Sequence, residues 1–143
     1  MNIKNICRII ISNLFLIFIS NNALSNENFI CFPKDENIVN FNGVLKKTSS
    51  LNLYSHFIWN DNSRSLKFYY FDGDSYKLDN MRVLQKGTKI NPMKALHEEI
   101  NKNTGESFTS FLQIHTYRPD ELPFIYLRGG RVLSGNCKEY ENN

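Results

Sequence analysis

The three histidines are the residues best suited to moving a proton near neutral pH. His115 lies just before Asp120 and Glu121, across Pro119. An imidazole within reach of either carboxylate would form half of a small extracytoplasmic hydrolase site. His97 stands in the run His97-Glu98-Glu99-Ile100, which has no second histidine one helical turn on and so lacks the zinc-protease pattern. His56 alternates with apolar residues and by itself specifies no reaction. No serine occupies a Gly-x-Ser-x-Gly elbow. Asp72-Gly73-Asp74 begins like a calcium loop, but the next alternate position is Tyr76 and no glutamate closes the loop. Gly129-Gly130, between Arg128 and Arg131, lacks the Lys-Ser/Thr of a phosphate loop and reads as a turn. No metal and no cofactor is expected.

Aromatic side chains are a denser signal. Phe57, Trp59, Phe68, Tyr69, Tyr70, Phe71 and Tyr76 crowd one stretch of chain. In extended backbone, Phe68-Tyr69-Tyr70-Phe71 places rings on both faces of one strand. One face belongs to a core. The other, with Tyr54, Ile58 and Tyr69, is expected to be either a packing layer under a helix or an exposed binding patch. The binding residues expected from this stretch are Tyr54, Trp59, Tyr69 and Tyr70.

The elements that must position these residues read as mainly β. Leu51, Leu53, Phe57 and Trp59 alternate with polar or smaller positions, the period-two pattern of a half-buried strand. Asn60-Asp61-Asn62-Ser63 is a turn, and Leu66 to Tyr70 alternates again, so the two runs form a hairpin. Asp72-Gly73-Asp74-Ser75 turns into a third strand from Tyr76 towards Leu84, with a break near Asp79-Asn80. Residues 26–37 read as a lead-in broken at Pro33, and Phe41 to Leu45 as a short strand kinked at Gly43. Asn91-Pro92 resembles a helix start, and Met93, Leu96 and Ile100 recur at helical spacing, which predicts a helix over 92–104. Ser107 to Tyr117 is strand-like, and Phe124 to Leu133 is a hairpin or a bulged strand around Gly129-Gly130. The expected fold is a small antiparallel barrel or curled sheet with one helix, its N- and C-terminal ends linked by a disulfide.

That disulfide is Cys31–Cys137. The chain has three cysteines, and the third, Cys7, lies in a segment that reads as a signal peptide. Lys4 and Arg8 precede an apolar run over residues 9–19, followed by Ala23-Leu24-Ser25. The run is shorter than the roughly 20 residues a spanning helix needs. Residues 1–25 are therefore expected to be removed, leaving 26–143 as a single small domain that is not an integral membrane protein. The expected location is periplasmic or secreted, and the abundance of Asn beside scarce Ala suits an AT-rich bacterial genome.

Without Lys4 and Arg8 the formal charge of +3 falls by two, and the remaining basic residues are scattered. No basic field exists to hold nucleic acid. Three functions are compatible with these features: a module binding a small ligand or an envelope protein, a hydrolase using His115 with Asp120 or Glu121, and a structural envelope-associated subunit. The signal reading has a direct check. N-terminal sequencing of protein exported by a bacterial host is expected to begin at Asn26; an intact Met1 on exported protein would contradict it.

Overall fold

The computed structural model describes residues 28–40, 42–48, 54–118 and 120–140. The expected signal segment and residues 51–53 lie outside them. The described residues form β1 (Phe29–Val39), β2 (Leu45–Lys47), β3 (Tyr54–Asn60), β4 (Ser65–Tyr70), β5 (Ser75–Leu78), β6 (Arg82–Gln85), β7 (Met93–Ile100), β8 (Ser107–Ile114), β9 (Pro123–Arg128) and β10 (Arg131–Glu139). They make one antiparallel sheet in the order β5-β4-β3-β1-β10-β9-β8-β7-β6, with β2 beside the far half of β1.

The sheet is strongly curled. Phe68 on β4 and Tyr126 on β9 are four strands apart, which in a flat sheet is about 19 Å. Their ring centroids are 5.0 Å apart. Phe57 on β3 likewise meets Phe124 on β9 edge to face at 4.8 Å. The outermost strands, β5 and β6, are consecutive in sequence, yet they do not pair, so the sheet is curled but not closed into a barrel.

One face of every long strand points into the curl. Phe29, Cys31, Phe57, Trp59, Leu66, Phe68, Leu112, Ile114 and Phe124 are all almost completely buried there. Met81 and Leu122 add to the core at the end where Trp59 lies. Burying this apolar surface is the main force closing the sheet.

Three expectations need correction. Residues 93–100 are a strand, not part of a helix, and pair along their full length with β8. Met93 and Ala95 face the core while Lys94 and Glu98 face out, so a period of two overrides the three apolar residues at helical spacing. Pro92 precedes the strand, a position where its missing N–H costs nothing. Second, the supposed lead-in around Cys31 is the longest strand, β1, which lies at the centre of the sheet. Pro33 is tolerated because the β1–β10 register shifts between Pro33 and Asp35. The β3 pairing also stops at Cys31 and the β2 pairing starts only at Asn37. Third, Gly43 sits in a turn with φ +76°, and the strand follows it at Leu45–Lys47.

The hairpins and the break appear as expected. β3 pairs with β4, β4 with β5, and β9 with β10. Residues 79–81 separate β5 from β6, with Asn80 in left-handed backbone. The Cys31–Cys137 disulfide is formed, between residues directly opposite each other on β1 and β10. Gly135 is the close approach beside it: a Cβ there would clash with the Phe32 carbonyl oxygen and lie 2.9 Å from the Phe124 ring.

Two substitutions test this frame. The bridge spans a sequence separation of 106. The chain-entropy treatment gives a loop of that size about 4–5 kcal/mol, so C31S/C137S is expected to lower unfolding free energy by several kcal/mol in urea titrations. Gly135→Ala is expected to cost about 3 kcal/mol, because the new methyl meets rigid backbone. Wild-type urea midpoints for either variant would contradict the assignment.

Candidate functional site

Cross-strand register assembles a polar row at one end of the curl. His97 on β7 lies opposite Ser110 on β8, Ser110 opposite Arg128 on β9, and Arg128 opposite Arg131 on β10. All four share the inner face. One step deeper are Tyr126 and Leu133, and Leu133 lies opposite Glu36 on β1. The facing wall carries Tyr54, which pairs with Tyr70, and Phe68, which pairs with Tyr76. This end is therefore lined by tyrosines on one side and by arginines and hydroxyls on the other.

Side-chain contacts join the two walls. Arg128 Nη2 donates to the Tyr76 hydroxyl at 2.9 Å, and its guanidinium lies 4.7 Å from the Tyr76 ring centroid. The same nitrogen reaches Glu99 Oε2 at 3.5 Å. Among the described residues Arg128 makes no bond through Nε or Nη1. Hydrogen bonding to Tyr76 and the nearby Tyr126, Tyr76 and Glu99 outweigh burial and raise its pKa.

Arg131 Nη1 donates to Glu36 Oε1 at 3.2 Å, and the Thr48 hydroxyl donates to Glu36 Oε2 at 3.3 Å. Glu36 is only 1% exposed. A carboxylate this deep survives only with such partners.

Two buried polar groups at this end are left short of partners among the described residues: the Tyr126 O–H has no acceptor, and His97 Nδ1 has no hydrogen bond. Burial pushes the Tyr126 pKa up to about 12, against smaller opposing effects of the Ser110 hydroxyl and Arg128. Burial, then the neighbouring Tyr70 hydroxyl, also raises the pKa of Tyr54. A phenol with a raised pKa stays protonated at neutral pH and remains a donor.

The residues expected to bind are thus divided by the fold. Tyr54 and Tyr70 meet at this end, their rings 5.0 Å apart. The irregularity between Tyr54 and His56 turns Tyr54 inward while His56 faces out. Trp59 is fully buried at the opposite end, and Tyr69 is on the outer face. There Tyr69 stacks on His56 at 4.5 Å and lies under the Lys67 ammonium. Tyr69 helps line a shallow outer depression of about 280 Å³ with Ile58, Asn60, Lys67, Lys77 and Tyr140.

His115 is held by neutral groups. Its Nε2 is 2.8 Å from Gln113 Nε2, and its Nδ1 is 2.6 Å from the Tyr117 hydroxyl. Neither Asp120 nor Glu121 is hydrogen-bonded to it. No group of three or more potential metal-ligating residues occurs among the described residues.

Sequence reasoning sets His97 aside as a zinc ligand, takes Arg128 and Arg131 only as the flanks of a turn, and does not single out Glu36 or Tyr126. One signal was available. A two-residue hairpin loop at Gly129-Gly130 must place its flanking arginines opposite each other on one face. Like charges so placed repel unless something negative or aromatic faces them. No family model matches the chain, and neither a curated protein nor a solved structure does.

The two lowered histidines give a pH prediction. Burial lowers the pKa of His56 below its ordinary 6.5. Burial, then the Arg118 and Lys94 cations, does the same to His115. The unfolded chain therefore binds these protons more readily than the native one, and stability falls as pH drops below about 6.5. Replacing both with glutamine is expected to flatten the change in urea midpoint between about pH 7 and pH 5. An unchanged slope would contradict it.

Proposed function

We propose that the chain is a secreted or periplasmic module that binds a small ligand at the tyrosine- and arginine-lined end of its curled sheet. The observation that carries this reading is the Tyr126 hydroxyl, which is buried, has no acceptor for its proton and lies next to a guanidinium with unused donors. Leaving such a hydroxyl unsatisfied costs about 1–3 kcal/mol. A ligand acceptor would recover that cost. The rim supports the same reading: Tyr54, Tyr70 and Tyr76 are half-buried, so they are ordered by packing yet still reachable. Rigid, half-buried tyrosines supply large contact area with little entropy to lose.

The extracytoplasmic location rests on the sequence of residues 1–25 and on the cysteine pair outside it, which is joined. A hydrolase centred on His115 has less support, because the imidazole is engaged by Gln113 and Tyr117.

A fragment screen read by NMR tests the proposal. Hits are expected to shift side-chain resonances of Tyr54, Tyr70 and Tyr76, and Y54S/Y70S is expected to weaken them about tenfold while keeping the native fold. Hits confined to the outer depression around Tyr69, or none at all, would overturn it. Y70F separates loss of the hydroxyl from loss of the ring.

A further inference from the structure

The polar row has an asymmetry that specifies the chemistry of the ligand. Two arginines stand opposite each other, but their counter-charges are not equivalent. Arg131 is committed to Glu36, a buried carboxylate that Thr48 also holds. Arg128 faces Glu99 at 3.5 Å, with the two side chains 31% and 48% exposed. A long ion pair between exposed groups contributes little to stability. The Tyr76 hydroxyl also donates to Glu99 Oε2, at a long 3.4 Å, so Glu99 is held only by two weak contacts and can be displaced. The carboxylate it presents is of the kind a guanidinium fork holds best, through two parallel N–H···O bonds.

We infer that the ligand carries a carboxylate that displaces Glu99 from Arg128 and accepts a hydrogen bond from the Tyr126 hydroxyl, with an aromatic or apolar body against Tyr54 and Tyr70. The inference rests on the site proposed above and adds its ligand class. Arg128 supplies the unused Nε and Nη1 donors beside Nη2. Tyr126 supplies a donor that nothing else satisfies. The Tyr76 ring is already covered by the guanidinium, so the ligand body falls to the rings of Tyr54 and Tyr70, and Tyr54 is backed by the buried Phe68 ring. Tyr76 is a positioning residue: its hydroxyl fixes Arg128 at 2.9 Å across the inside of the curl.

Benzoate, benzamide and inorganic phosphate are the probes, each titrated into the full domain with NMR detection of the Arg128 side chain and of the tyrosine rings. Benzoate is expected to bind saturably and to shift Arg128, Tyr54 and Tyr70 together. Glu99→Gln is expected to tighten benzoate several-fold by removing the competing carboxylate. Arg128→Gln is expected to weaken it about tenfold or more, and Arg128→Lys, which keeps the charge without the fork, to fall between. Far-UV circular dichroism establishes that each variant is folded, and Glu99→Gln, at an exposed position, provides a test that does not depend on the arginine variants.

Benzamide binding as tightly as benzoate, or benzoate indifferent to Glu99→Gln, would overturn the carboxylate assignment and leave the site standing. Phosphate binding more tightly than benzoate would overturn it in favour of a tetrahedral anion. If none of the three probes shifts the resonances at this end, the carboxylate assignment fails. A screen that finds other hits there would then preserve the site, and a screen without them would remove it too.

Discussion

The first and last described strands, β1 and β10, pair in the middle of the sheet, and the remaining strands are arranged around that pairing. β1 lies between β3 and β10, so the hairpins built on β3–β5 and the meander β6–β9 become one surface only when β1 and β10 pair. These strands are far apart in sequence, and closing so long a loop is the costly step in forming the sheet. The disulfide sits at this junction, between residues in direct register. A slip of one residue would send a cysteine to the outer face and invert the strand's core pattern. The bridge therefore holds the register on which both the core and the polar row depend.

From that junction the inner face changes character along the curl. Towards Trp59 and Leu122 it is filled by large apolar side chains. Towards the 128–131 turn it carries Glu36, Ser110, Tyr126, Arg128 and Arg131. These groups are expensive to desolvate, and the ion pair and hydrogen bonds around Glu36 offset only part of that expense. A sheet optimised for stability alone would close this end with leucine and valine. Departures from that rule concentrated at one end of the core are the observation on which the proposed ligand site rests.

Much of the fold was legible in the residues because hairpin signals are local. The turns at Asn60–Ser63, Asp72–Ser75 and Gly129-Gly130 each act through backbone preferences within a few positions. The error over residues 93–100 has the same origin. Three apolar residues at helical spacing and a preceding proline are local cues, but pairing with β8 satisfies the whole backbone and buries Met93 and Ala95, which local cues cannot weigh. β1 was missed because Pro33 breaks strands in general, and only the register shift beside it makes an exception here.

The candidate site was less legible. Tyr54 and Tyr70 stood out by composition, but so did Trp59 and Tyr69, which the fold sends to the core and to the outer face. The sequence by itself determined a β-rich domain with a matched pair of cysteines and a concentration of aromatic rings, because composition, alternation and turn chemistry act over short distances. Only the tertiary structure decided which face each ring occupies, that Glu36 pairs with Arg131, and that the Tyr126 hydroxyl is left beside Arg128 without an acceptor. Each of these depends on register between strands brought together by the curl, and a single bulge such as the one after Tyr54 reverses the outcome.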